Sequence, residues 1–316
     1  MIEVLRTEQI GNYAARKLSH QQRRIMPGVF LPYDRVSRAE PTSLSSRVAA
    51  ALAICPEGSL ISGLGALELM GVDLPDGLNN DGVVTIAIPR ASQCRLRRAG
   101  VSIQRLRVMP TRWGRSQTLA EPAHCWATAA LALAGQDPWL PGRDWIASAP
   151  GVFEHPRKVR FLQIIQLGEA LTRRSNPVLT QDNFAARIAA WVPRHPGKPL
   201  VRELFSHVRC RTDSVAETWL RLAVIDAGFP EPVVNHGVFG PSGWRYLDLS
   251  WPDRLIALEY HGRQHFDNPS QSYEDVGRRG ELQAAGWTVI EATRRDLRQP
   301  GELLRRLGAA FARAER

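Results

Sequence analysis

Two acids stand inside apolar, strand-like runs of this 316-residue sequence: Asp248 in Trp244–Leu249 and Glu259 in Leu255–Tyr260, eleven residues further on. An acid in such a run is costly to bury without a partner, so each calls for an explanation. If the two strands pair as a hairpin, the carboxylates come together at one edge of a sheet. Two converging carboxylates make a hard oxygen site suited to Mg2+ or Mn2+. Such an ion activates water, polarises a phosphodiester and offsets charge on the leaving oxygen. The plainer alternatives are a strand-end Asp248 paired with Arg245 or Arg254, and a solvent-facing Glu259.

Other groups with chemical potential flank this pair. Glu217, three residues after Ser214, completes a capping-box pattern and is also spaced to pair with Arg221. It is equally a candidate third metal ligand. His261 and His265 follow Glu259 in Glu259-Tyr260-His261-Gly262-Arg263-Gln264-His265. A histidine beside a phosphodiester can orient water or protonate a leaving group. Gly262 argues against a helical His-x-x-x-His zinc pair, and no soft third ligand is close in sequence. Asp275 suits the start of a helix, where the dipole favours an acid, and Arg278 and Arg279 can clamp a phosphate.

Helices and strands must position these groups. Asp213 and Ser214 offer N-caps for a helix running to Ala227, with Val215, Trp219, Leu222 and Ala223 as its apolar stripe and Gly228 as its stop. A loop follows, then the two acid-bearing strands, a helix over 274–285, a strand at Trp287–Ile290 and a last helix over 301–314. That order predicts a small mixed sheet with helices on its faces. Upstream, short helices fall around 7–26, 44–54 and 63–70, and Pro27–Pro32 forms a turn into a strand. Two further strands, Val83–Ile88 and Val101–Leu106, enclose the basic stretch Arg95-Leu96-Arg97-Arg98. Helices over Ala127–Ala134 and Val159–Leu171 fill the middle. The organisation expected is a basic, winged-helix-like domain at 1–118, a helical connector at 119–204 and an α/β domain at 205–316, α+β overall.

Charge supports that division. The net charge is +10. Residues 1–120 hold 16 Lys and Arg against 9 Asp and Glu, whereas residues 205–316 hold 15 of each. A basic excess in the first two-thirds of the chain points to a polyanionic partner, with Arg95, Arg97 and Arg98 as its contacts. The four cysteines are scattered, which argues against a zinc site or a disulfide framework. No apolar run is long enough to span a membrane, and the first residues lack a signal-peptide pattern, so a cytoplasmic location is expected.

The residues from Ser214 to Arg221, then Tyr246-Leu247-Asp248-Leu249, the Glu259–His265 run, Asp275 with Arg278-Arg279, and Gly286-Trp287 follow a recognisable order. Over about residues 205–312 the chain resembles endonucleases related to the very-short-patch-repair enzyme (domain of unknown function 559), within the PD-(D/E)XK superfamily. The Pro27–Phe30 segment is similar to the wing of the AbiEi-type antitoxin N-terminal domain. The resemblance implies a restriction-endonuclease-like fold that hydrolyses DNA with magnesium. Glu217, Asp248, Glu259, His265 and Asp275 take the catalytic positions, and duplex DNA is the favoured partner. The superfamily pattern places Lys, and its relatives Asp, where this chain has His261. That departure motivates an alternative, a non-catalytic, antitoxin-like DNA-binding regulator with a degenerate nuclease domain.

Overall fold

A computed structural model describes residues 4–21, 23–32, 40, 42–75, 77–78, 82–94, 97, 99–116, 118–135, 156–191, 196–261 and 280–316. Arg95, Arg98, His265, Asp275, Arg278 and Arg279 lie outside the described residues. The protein is a mixed α/β molecule of two compact units. One comprises Met1–Gly135 with Val178–Glu203, the other Gln136–Pro177 with Leu204–Arg316.

In the first unit, β1 (Leu5–Arg6), β2 (Arg24–Met26) and β3 (Val29–Phe30) form a small antiparallel sheet in the order β1-β3-β2. Helix α1 (Thr7–His20) covers it, with Ala15 and Leu18 packed on Phe30. The helix expected over 7–26 therefore ends early. Arg24–Met26 pair with β3 across Pro27-Gly28, a turn that Gly28 permits at φ +78°. Helix α2 (Leu44–Ala53) is capped by Ser43, whose Oγ accepts from Ser46 N at 3.2 Å.

A second sheet follows, with β4 (Leu60–Ser62), β5 (Val84–Pro89) and β6 (Val101–Leu106) in the order β4-β5-β6. Its β4–β5 pair is antiparallel and its β5–β6 pair parallel. The central strand is apolar and buried at Val84, Ile86, Ala87 and Ile88, as expected for a strand covered on both faces. Helices α3 (Gly63–Leu69) and α4 (Pro122–Gly135) pack together, and Ser62 Oγ donates to Thr128 Oγ1 at 3.2 Å.

The helices between the sheets are shared between the units. Helix α5 (Pro156–Ala170) belongs to the second, α6 (Gln181–Ala190) stays with the first, and α7 (Lys198–Ser206) crosses the division. Helix α6 meets α4 through an edge-on contact between Trp126 and Phe184 at 5.4 Å.

The second unit holds α8 (Val215–Asp226) and a four-stranded sheet of β7 (Val233–Gly240), β8 (Gly243–Trp251), β9 (Ile256–His261) and β10 (Thr288–Thr293). Strand order is β10-β9-β8-β7. The first three strands run antiparallel, and β10 is parallel to β9. The segment expected to be a loop before Trp244 is instead β7. Its Asn235, Gly237 and Gly240 interrupt the alternation that marks a strand, and Asn235 adopts φ +49°.

Residues 280–284 are helical (α9) and stop at Gly286, φ +86°. Short α10 (Arg294–Arg298) and α11 (Gly301–Ala314) complete the unit. Helix α11 buries Leu303, Leu307, Ala310 and Phe311, spaced to lie on one helix face. Helices α5 and α8 are joined by a fully buried ion pair, Arg221 Nη2 to Glu169 Oε1 at 2.6 Å.

Candidate functional site

Glu217 sits in the first turn of α8, whose N-cap is Ser214, and only half of the predicted capping box forms, the return bond going to Asp213 N rather than Ser214 N. Ser214 Oγ accepts from Glu217 N at 3.2 Å. In return Glu217 Oε2 accepts from Asp213 N at 2.9 Å, one residue before the cap. The alternative pairing with Arg221 is not made, because Arg221 turns into the core towards Glu169 and the His207 carbonyl. Capping does not exhaust the role of Glu217. Its side chain is buried and faces Asp248, and the two effects together push its pKa up to about 8. Burial is the larger cause and the Asp248 charge the second, while the bonds from Asp213 N and Ser214 oppose both. Asn235 on β7 adds a further donor, Nδ2 to Glu217 Oε2 at 3.4 Å.

Asp248 is half-buried on β8. Its Oδ2 accepts from Tyr260 N of β9 at 2.8 Å. Leu249 and Leu258 are register partners, which brings Asp248 and Glu259 to the next step along the two strands. The solvent-facing alternative does not describe Glu259, which is buried. Arg254 reaches Glu315 at 2.9 Å and Arg245 lies 4.0 Å from Glu281.

Glu291 on β10 is the register partner of Glu259, and its Oε1 lies 3.5 Å from His261 Nε2. The imidazole that replaces the expected lysine or aspartate thus faces an acid of the neighbouring strand. Sequence reasoning missed Asn235 and Glu291. Glu291 interrupts the apolar strand that begins at Trp287, the same signal that singled out Glu259. Asn235 lay in a segment read as a loop.

The chemistry of this cluster is that of hard oxygens: Glu217, Asp248 and the Asn235 amide. Among the described residues, no group of three His, Cys, Asp or Glu side chains is arranged to hold a metal ion. A pair of carboxylates nevertheless fits magnesium, which keeps several waters and uses one or two protein carboxylates. Burial is the main reason Glu217 holds a proton; the Asp248 charge, the second cause, is the part a cation between them would cancel.

Of the expected phosphate contacts, Arg97 is exposed. The turn leading to it is closed by Arg105, whose guanidinium donates to the carbonyls of Ser92 and Cys94. Among the described residues, no helix is long and apolar enough to cross a membrane.

Comparison with known proteins adds relatives but no named activity. No protein-family model matches the chain, and no solved structure matches it. Two uncharacterized proteins of Mycobacterium tuberculosis, MT2308 and Rv2248, are each 34% identical to it over 116 residues. The match covers 36% of this chain and 42% of each relative, so the chain spans about two fifths of the length of these proteins.

Proposed function

We propose that this protein is a metal-dependent endonuclease that hydrolyses DNA phosphodiester bonds, with its basic N-terminal region binding duplex DNA. The observation that carries the reading is where the acids sit: Glu217 is buried in the first turn of α8 within reach of the Asp248 charge, and Asp248 is held by Tyr260 N at the strand step next to Glu259. Asp248 and Glu217 are the residues that would hold Mg2+ or Mn2+, with Glu259 adjoining. The bound ion supplies an activated water and a counter-charge for the leaving oxygen. Asp213 N and Asn235 Nδ2 fix the Glu217 carboxyl, and Tyr260 N fixes that of Asp248, so neither acid swings away from the reacting phosphate. His265, Asp275, Arg278 and Arg279 are proposed to contribute on the substrate side, and Arg95, Arg97 and Arg98 to hold phosphates.

The test is nicking of supercoiled plasmid by the full chain with Mg2+, with Mn2+ and with chelator. Cutting in the first two alone is expected. No cutting with either metal, across plasmid and linear duplex, refutes the reading.

The His261–Glu291 contact favours a second reading, a DNA-binding regulator whose nuclease domain does not cut. An imidazole engaged by an acid does not supply the fixed positive charge of a lysine. Calorimetric titration with Mg2+ separates the two: the endonuclease binds the ion and loses binding in Asp248→Asn, whereas the regulator binds none.

A further inference from the structure

Trp126, Trp191, Trp219, Trp251 and Trp287 are all buried, but Trp244 is 62% exposed, and its cross-strand partner Phe239 is 70% exposed. The two rings meet at 5.4 Å, near the tip of the β7–β8 hairpin. Paired large aromatics facing water mark a binding surface more often than a solitary exposed residue does.

The hairpin presents the pair rigidly. Gly240 and Gly243 close it around a two-residue turn, and Ser242 Oγ donates to Glu281 of α9. Gly237 lets the rings lie flat on β7: a Cβ there would stand 3.3 Å from Trp244 and 3.4 Å from Tyr246. Trp244 and Tyr246 therefore share one face of the hairpin.

Tyr246 carries cations. The Arg174 guanidinium lies 4.7 Å and that of Arg211 5.9 Å from its ring centre. Both arginines are exposed. Arg174 is held flat by Asp213, with Nε donating to Oδ2 at 2.8 Å. Arg211 adopts φ +74°, a conformation costly for a residue with a side chain, and its carbonyl accepts from Asn235 Nδ2. Asp213 and Asn235 are the two residues whose N–H groups hold Glu217. One face thus runs from exposed aromatics, through an arginine-flanked tyrosine, to the acid pair. At about 3.4 Å per residue, Trp244 to Asp248 spans roughly 14 Å.

We propose that this face is a base-stacking track for unpaired nucleotides, and that the substrate is a duplex carrying a single-stranded tail. Trp244 and Phe239 take the base faces, which every nucleotide offers regardless of sequence. Arg174 and Arg211 take the phosphates. An acidic or apolar partner protein would use the aromatics or the arginines but would not need them in line with a carboxylate pair. The substrate class rests on the endonuclease reading; the stacking itself does not.

Binding of the full chain is measured in chelator by fluorescence anisotropy, with a blunt duplex and with the same duplex extended by a thymidine tail. The tail is expected to tighten wild-type binding about tenfold or more. Trp244→Ala abolishes that gain without weakening blunt-duplex binding, Phe239→Ala reduces it, and Trp244→Phe retains most of it. Equal affinity for the two wild-type complexes, or an intact gain in Trp244→Ala, overturns the track. So does sedimentation showing a wild-type dimer that Trp244→Ala disperses, since the aromatics then belong to a second copy. Tail preference without any metal-dependent cutting refutes only the endonuclease reading.

Discussion

The two larger sheets of this protein share a construction and differ in what they bury. Each contains antiparallel pairing and one parallel pair, β5–β6 in the first unit and β9–β10 in the second. In the first, the central strand is apolar at every buried position. In the second, the strands carry Asp248, Glu259 and Glu291, and α8 adds Glu217. A sheet meant only to hold a core has no use for an acid that burial, and secondly the charge of a nearby acid, press to hold its proton. The proposed endonuclease site builds on that contrast.

The largest effect that would sharpen this contrast is on activity. Asp248→Asn and Glu259→Gln are each expected to lower metal-dependent nicking about a hundredfold or more, in the range lost with a key electrostatic group. Far-ultraviolet circular dichroism should stay unchanged. Activity within a few-fold of wild type would reduce the acids to scaffold.

The second unit also has a purely structural ion pair, which gives an internal control. Glu169→Ala leaves Arg221 charged and buried, and should destabilise the unit by about 3–5 kcal/mol in denaturant titration. Ile86→Ala in the first unit should cost about 2–5 kcal/mol by opening a cavity. Neither loss should change Mg2+ affinity once refolding is complete, unlike Asp248→Asn.

Glu217 links the site to stability through pH. Its carboxyl is raised from 4.5 to about 8, so the folded state holds a proton that the unfolded chain has already released between those values. Its contribution is therefore fully present below pH 4.5 and is lost as pH rises through about 8. Melting of Glu217→Gln against wild type should show a steeper fall for wild type between pH 5 and about 8.5, and saturating Mg2+ should flatten the wild-type curve. Parallel curves would mean Glu217 is only a cap.

The smallest effect belongs to the surface of the first unit. Arg187 pairs with Glu121 while half exposed, and Arg187→Ala should change stability by less than about 1 kcal/mol. A larger loss would show that the first unit, too, depends on charge.

Much of the local structure was legible in order. Apolar spacing set β6 at its observed ends and placed α2, α3 and α11, and Ser214 announced the start of α8. Strand β7 was not legible. Its Asn235 and glycines look like loop residues, and only pairing with β8 makes Val233–Gly240 a strand. The end of α1 was hidden for a related reason: Arg24–Met26 extend a helical reading until β3 supplies a partner. Local propensity is a weak prior that tertiary pairing overrides.

The sequence by itself determined that acids lie in apolar strands, that Ser214 starts the helix carrying Glu217 and that the basic excess lies upstream of residue 205. These follow from residue type and near-neighbour spacing. Tertiary structure alone decided that Glu217 feels the Asp248 charge, that Glu291 meets His261, that Arg221 is spent on Glu169, and that Trp244 stays outside while Trp126, Trp191, Trp219, Trp251 and Trp287 are buried. Each of those facts depends on residues far apart in the chain, brought together by strand register and helix packing. No local pattern encodes such a juxtaposition.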